Sequence, residues 1–210
     1  MTAPSLKYQT LVWGGLGAVV LVITLVFAKS SIADKPLPVY GTTPLPNFNL
    51  TNQLDHLVTD RALLGQVWIC DIIFTRCASQ CLRMSELMSR MQSALPAAAP
   101  VKLVSLTADP EYDRPNILKK YGDRFGADPA HWLFLTGEKN SIYHLAGSDG
   151  LKFVVSEKKP SERDSENDLF IHTTKMVLVD KTGRIRGWFD SEEPGALRAI
   201  VAAAKQLSRE

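Results

Sequence analysis

The chain has 210 residues, a formal net charge of +2 and 45% hydrophobic residues, a balance that suits one folded domain with appendages. All 22 acidic residues and 22 of the 24 basic ones lie after Lys29, so the part beyond it is formally neutral. That excludes the basic field that nucleic-acid binding needs, and no nucleic-acid partner is expected.

Residues 1–10 form a short tail. No charge occurs from Tyr8 to Ala28, and residues 11–28 are strongly apolar, about the length that spans a bilayer. One N-terminal transmembrane helix is expected here. The competing reading is a cleaved signal peptide, because Ser31-Ile32-Ala33 loosely fits a small-x-small cleavage site, although the apolar core is longer than the usual signal. Lys7 flanks one side and Lys29 and Lys35 the other, so the positive-inside rule barely orients the segment. Residues 29–46 carry Pro36, Pro38, Pro44 and Pro46 and read as a semi-extended linker. The folded domain is placed at 47–210.

From Phe48 the sequence alternates between apolar runs and amphipathic stretches, which predicts an α/β fold with a largely parallel central sheet flanked by helices. A hairpin is expected at Phe48–Thr51 and Leu57–Thr59, then a strand from Val67 to Phe74, nearly continuous in apolar residues as a strand covered on both faces should be. Met84, Leu87, Met88, Met91 and Leu95 recur at helical spacing and read as core filling. Further strands are expected at Val101–Leu106 and Trp132–Leu135, with helices at Arg114–Phe125 and Glu138–Ala146. Ser156–Asp168 has eight charged residues in thirteen positions and reads as a solvated loop. A strand Phe170–Val179, a tight turn, a partner strand Arg184–Phe189 and a helix Pro194–Leu207 close the chain.

Chemistry concentrates at Cys77-Ala78-Ser79-Gln80-Cys81, where the Val67–Phe74 run gives way to a helical pattern. If the helix includes Cys77, the pair shares a face about 6 Å apart, near the upper end of the span a disulfide allows. Thiolates are ligands for soft metals such as Cu(I). A helix N-terminus beside a cation such as Arg76 lowers a thiol's pKa, so redox exchange as a dithiol is open too, as is a bland reading of two small buried residues. Cys70 reads as a small core residue. Asp71 shares that covered strand, where a carboxylate is costly unless partnered; it can be a proton acceptor for the thiols or be satisfied locally.

The order of elements matches a thioredoxin-like fold, with a central mixed sheet flanked by helices, and the chain resembles the Sco/SenC family, membrane-tethered thioredoxin-like proteins that assist copper delivery to the CuA centre of cytochrome c oxidase. The resemblance covers roughly Leu45 to Leu207. It rests on Phe48-Asn49-Leu50-Thr51, on Phe74-Thr75-Arg76-Cys77 with Cys81, on Ser105 to Pro115 with its Asp-Pro-x-x-Asp-x-Pro pattern, and on Ile171-His172 followed by Met176-Val177-Leu178-Val179-Asp180.

The resemblance implies that Cys77, Cys81 and His172 bind one copper ion, as Cu(I) or Cu(II). The residues alone single out His172 no more than His56, His131 or His144. Asp109 and Asp113 would stand behind the ligands. Their local alternatives are a turn at Asp109-Pro110 and a helix cap by Asp113. Many family members carry proline after each cysteine, where this chain has Ala78 and Leu82, a change that should loosen the loop. The implied partners are the oxidase CuA subunit or another copper donor or acceptor protein, with the domain on the extracytoplasmic, periplasmic side. No enzyme activity is required; the alternative is a thiol-disulfide oxidoreductase in which Cys77 and Cys81 are the redox-active pair.

Overall fold

The computed structural model describes residues 13–22, 24, 36–41, 44–77, 79–95 and 101–210, with the His172 side chain left outside that description. The chain divides into two compact units, Met1–Pro36 and Leu37–Glu210. In the first, residues 13–22 and 24 are helical, and Trp13, Leu16 and the run Val19 to Val22 are exposed. Among the described residues no helix is long and apolar enough to cross a membrane. The expected anchor at 11–28 lies partly outside the described residues, and the tail 1–10 and residues 29–35 of the linker lie wholly outside them.

The second unit is built from β1 (Asn49–Asn52), β2 (Leu57–Thr59), α1 (Asp60–Leu63), β3 (Val67–Ile73), α2 (Gln80–Ala94), β4 (Val101–Thr107), α3 (Pro115–Arg124), β5 (Trp132–Thr136), α4 (Lys139–Ala146), β6 (Val155–Glu157), β7 (Phe170–His172), β8 (Lys175–Val179), β9 (Ile185–Asp190) and α5 (Ala196–Arg209). Seven strands form one mixed sheet in the order β2-β1-β5-β4-β3-β8-β9, and β6 pairs with β7 in a separate ribbon. The centre is parallel: β3 pairs with β4 over seven residues and β4 with β5 over four. Every residue of β3 is buried, as its unbroken apolar composition predicts for a strand covered on both faces. Helix α2 packs on β3 and α5, α5 also crosses β4 and β9, α3 lies on β5, and α4 lies against β1 and β4. This is a thioredoxin-like α/β arrangement, but the sheet is mixed and not largely parallel as the alternation of apolar runs suggested: only two of its six strand pairings are parallel, because β2, β1, β8 and β9 join through antiparallel pairings.

Three local expectations change. The single strand foreseen at Phe170–Val179 is two, because β7 pairs with β6 whereas β8 pairs with β3 and β9. Thr173 and Thr174 make the break, the Thr173 hydroxyl accepting from the Lys175 amide at 3.1 Å. The last helix begins at Ala196 rather than Pro194, since Gly195 takes φ 91° as its N-cap, a conformation that glycine adopts without penalty. The loop Ser156–Asp168 is exposed yet organised, containing most of β6 and a 3-10 turn at Pro160–Glu162.

The compact unit starts well before residue 47. Buried Arg186 donates to Leu37 O at 2.7 Å and Pro38 O at 3.1 Å, the Tyr40 amide donates to Ile185 O at 2.8 Å, and the Leu45 amide to Gly183 O at 2.9 Å. Both β3 and β9 run antiparallel to β8. Arg186, near the start of β9, therefore lies at the edge of the sheet where β3 begins, opposite the edge where the Cys77 loop leaves it.

Candidate metal centre

The carboxyl ends of β3 and β4 lie side by side, Ile73 in register with Thr107, and the loops leaving them build the site. Crevices outside the carboxyl ends of parallel strands are where open α/β sheets place ligands. After β3 the chain turns at once, the Cys77 amide donating to Phe74 O at 3.1 Å. Helix α2 starts only at Gln80, so Cys77 precedes the helix and does not share its face, contrary to the sequence reading. The two residues still meet, because the Cys81 amide in the first turn of α2 donates to Cys77 Sγ at 3.5 Å. Cys77 is half-buried and Cys81 fully buried, and both are thiols. Burial first, then hydrogen bonding with Cys77, pushes the Cys81 thiol far above the ordinary range.

The turn that leads into Cys77 is clamped by the segment after β4. Asp113, fully buried, accepts from the Thr75 amide at 3.1 Å, from the Thr75 hydroxyl, and from the Thr107 hydroxyl at 2.5 Å. It caps no helix: the N-cap of α3 is Arg114, without a side-chain cap bond, and Asp113 turns inward. Burial raises its carboxyl above the ordinary value, and the two threonines only partly offset this. Asp109 pairs with Arg76, whose Nη2 is 2.5 Å and Nε 3.1 Å from Oδ2, and the guanidinium stands 4.4 Å from the Tyr112 ring centre. The Arg76 charge is therefore spent on Asp109 and Tyr112, so its expected effect on the thiols is indirect. Thr75, Thr107, Tyr112 and Phe170 were not legible as site residues, since hydroxyls and rings near a motif carry no spacing signal.

Beneath the loop, Tyr121 Oη lies 2.9 Å from Ser85 Oγ and donates to Cys81 O at 3.3 Å, and burial raises its phenol well above the ordinary value. Asp71 is fully buried in β3, opposite Ser105 of β4. Cys70 is buried beside it as expected, its thiol raised first by burial and then by the Asp71 charge.

His172 is the last residue of β7, opposite Val155 of β6. Phe170, two residues earlier, is buried and packs edge-on against Phe74, ring centres 5.0 Å apart. This contact ties the His172 strand to the residue whose carbonyl turns the cysteine loop. Among the described residues no group of three or more His, Cys, Asp or Glu is placed to hold a metal, and the His172 side chain lies outside them. The paired sulfurs fit a soft ion such as Cu(I). His56 sits in the β1–β2 turn, His131 lies 3.7 Å from Asp128 before β5, and His144 is in the last turn of α4.

A family model described as SCO1/SenC matches residues 41–208. A curated relative, the SCO1 protein homolog of Bacillus subtilis (strain 168), is 31% identical over 162 residues, covering 77% of this chain and 81% of the relative. Among solved structures, BsSco, described as a member of the Sco family of cytochrome c oxidase assembly proteins with a disulfide switch, is 26% identical with a TM-score of 0.65, covering 83% of this chain and 96% of that one. Bradyrhizobium japonicum ScoI with copper bound has a TM-score of 0.61 at 24% identity, covering 79% and 99% of the two chains, a likeness of fold.

Proposed function

The chain belongs to the SCO1/SenC family, and on that premise we propose that it is a membrane-tethered copper chaperone that delivers copper to the CuA site of cytochrome c oxidase. The observation that supports this most is the Cys81 amide on Cys77 Sγ at 3.5 Å, which sets two thiols at the carboxyl edge of the sheet with one of them reachable from solvent. Copper is the cargo. Cys77 and Cys81 bind it through sulfur, His172 supplies the nitrogen, and Asp113 and Asp109 hold the loop so that the sulfurs need not reorganise. Handing over proceeds by ligand exchange beginning at the half-buried Cys77. The apolar run 11–28 serves as the anchor, with the domain outside the cytoplasm; the recipient is the CuA subunit, which other copper donors or acceptors can stand in for.

The test is copper content of the reduced chain after anaerobic loading and desalting. About one copper retained by the wild type and lost in His172→Ala supports the three-ligand site. No retention in either variant, with the cysteines still oxidising readily, leaves the second reading.

That reading is a thiol-disulfide oxidoreductase, favoured by the same adjacent thiols and by the disulfide switch described for BsSco. The Cys77 thiolate attacks a partner disulfide and forms a mixed disulfide, releasing one partner thiol. Cys81 then displaces the second. The partner gains two electrons and two thiols, and this chain keeps the disulfide.

A further inference from the structure

The ribbon β6–β7, which carries His172, has three residues per strand and joins no larger sheet. A two-stranded ribbon of this size is marginal alone in water, so its order depends on docking. One contact is apolar, Phe170 on Phe74. Phe153 and Leu169, which flank the ribbon, are buried in the same core. A further contact is ionic and converges on Glu157, which stands opposite Phe170 in register. One Glu157 oxygen accepts from Lys139 Nζ of α4 at 3.1 Å, and Arg163 Nη2 lies 3.8 Å from the other. Arg163 also donates through Nε to Lys158 O at 3.2 Å. A single carboxylate thus joins α4, β6 and the charged excursion. With Arg76 and Asp109 these charges wall a cleft of about 200 Å³, so the ionic contact borders the pair that holds the cysteine loop.

We propose that Glu157 is a positioning residue for His172: its ion pair to Lys139 of α4 holds the β6–β7 ribbon on the body of the domain while Arg163 ties the excursion to the same carboxylate, and releasing the Lys139 pair frees the histidine strand from its place beside the cysteine loop. The importance of that place rests on the copper reading above; the docking itself does not. Because the Lys139 and Glu157 side chains are 40% and 51% exposed, the pair contributes little to global stability and is screened by salt. Its effect is local.

The test uses the full chain. In the metal-free protein, amide exchange over residues 153–173 should quicken roughly 1.5- to fivefold in Glu157→Gln, equally in Lys139→Gln, and no further in the double variant, with the unfolding midpoint unchanged. Wild type should approach the variants when salt rises from about 0.05 to about 0.5 M. In the Cu(II)-loaded protein, Glu157→Gln should shift the thiolate-to-copper absorption and shed copper faster by a similar factor, and Glu157→Asp should recover most of both. Equal exchange in wild type and Glu157→Gln overturns the docking. Faster exchange with an unchanged copper spectrum overturns the positioning role. A wild type that retains no copper sinks the copper reading, and the exchange comparison still decides the docking.

Discussion

Asp113 stands where its neighbours in sequence suggest a helix cap, yet it holds three donors from Thr75 and Thr107 instead. Replacing it with alanine leaves the part-buried Thr75 amide and hydroxyl and the buried Thr107 hydroxyl without their acceptor, so Asp113→Ala should cost about 2–4 kcal/mol, read as a fall in the urea midpoint. Burial raises the Asp113 carboxyl from its ordinary value near 3.8. The folded chain therefore holds this proton where the unfolded chain has released it, and the stability so gained is full below the ordinary value and lost as pH rises through the raised one. The advantage of wild type over Asp113→Asn should accordingly shrink as pH climbs out of the acid range; an advantage that grows with pH contradicts this assignment. The cysteines make a second test. Cys77 is half-buried while Cys70 and Cys81 are fully buried, so a thiol reagent should modify one cysteine quickly in the native chain and the other two only on unfolding, by mass spectrometry. Cys77, Cys81 and the Asp-Pro-x-x-Asp segment drew attention to this region in the sequence, because the chain has only three cysteines. What each aspartate bonds to was not legible, since Asp113 reaches Thr75 across 38 positions.

At the scale of elements, the central strands and helices were legible because periodicity follows burial: β3 is covered on both faces, and α2 buries Met84, Met88 and Met91. The errors fall where tertiary pairing overrides local pattern. The stretch Phe170–Val179 is rich in β-branched residues throughout, and nothing in that composition says that its first part leaves the main sheet to pair with β6. Likewise the Cys77 turn is set by Phe74 O, a backbone acceptor that no residue type announces. The β7 placement depends on Phe170, so Phe170→Ala should cost about 3 kcal/mol, seen in chemical unfolding, and should raise amide exchange over residues 153–173 more than Glu157→Gln does. An exchange pattern that spreads evenly over the domain would mean that Phe170 is ordinary core and not the root of the ribbon.

Across the whole molecule, the extent of the domain was the least legible property, because Pro36, Pro38, Pro44 and Pro46 suggest a spacer while Leu37, Pro38 and Tyr40 hydrogen-bond to Arg186 and Ile185 of β9. Arg186 gathers Leu37 O, Pro38 O, the Asp180 carboxylate at 3.0 Å and Glu210 at 3.2 Å. Burial alone would raise Asp180, but bonds from Thr182, Arg184 and Arg186 outweigh it and hold the carboxyl below its ordinary value. It thus adds stability above the ordinary value that is lost as pH falls through the lowered one. Arg186→Met strands this buried carboxylate and should cost about 3 kcal/mol, with a smaller loss on acidification than wild type shows, both read from denaturant titrations. The same side chain fixes a direction. The segment that enters at Leu37 is gripped at the edge where β3 begins, and the thiols leave from the other edge, the length of β3 away, roughly 20 Å. A pull on the backbone at Leu37 is therefore taken up first by Arg186 and the edge where β3 begins, and the sulfurs lie a full strand away from it.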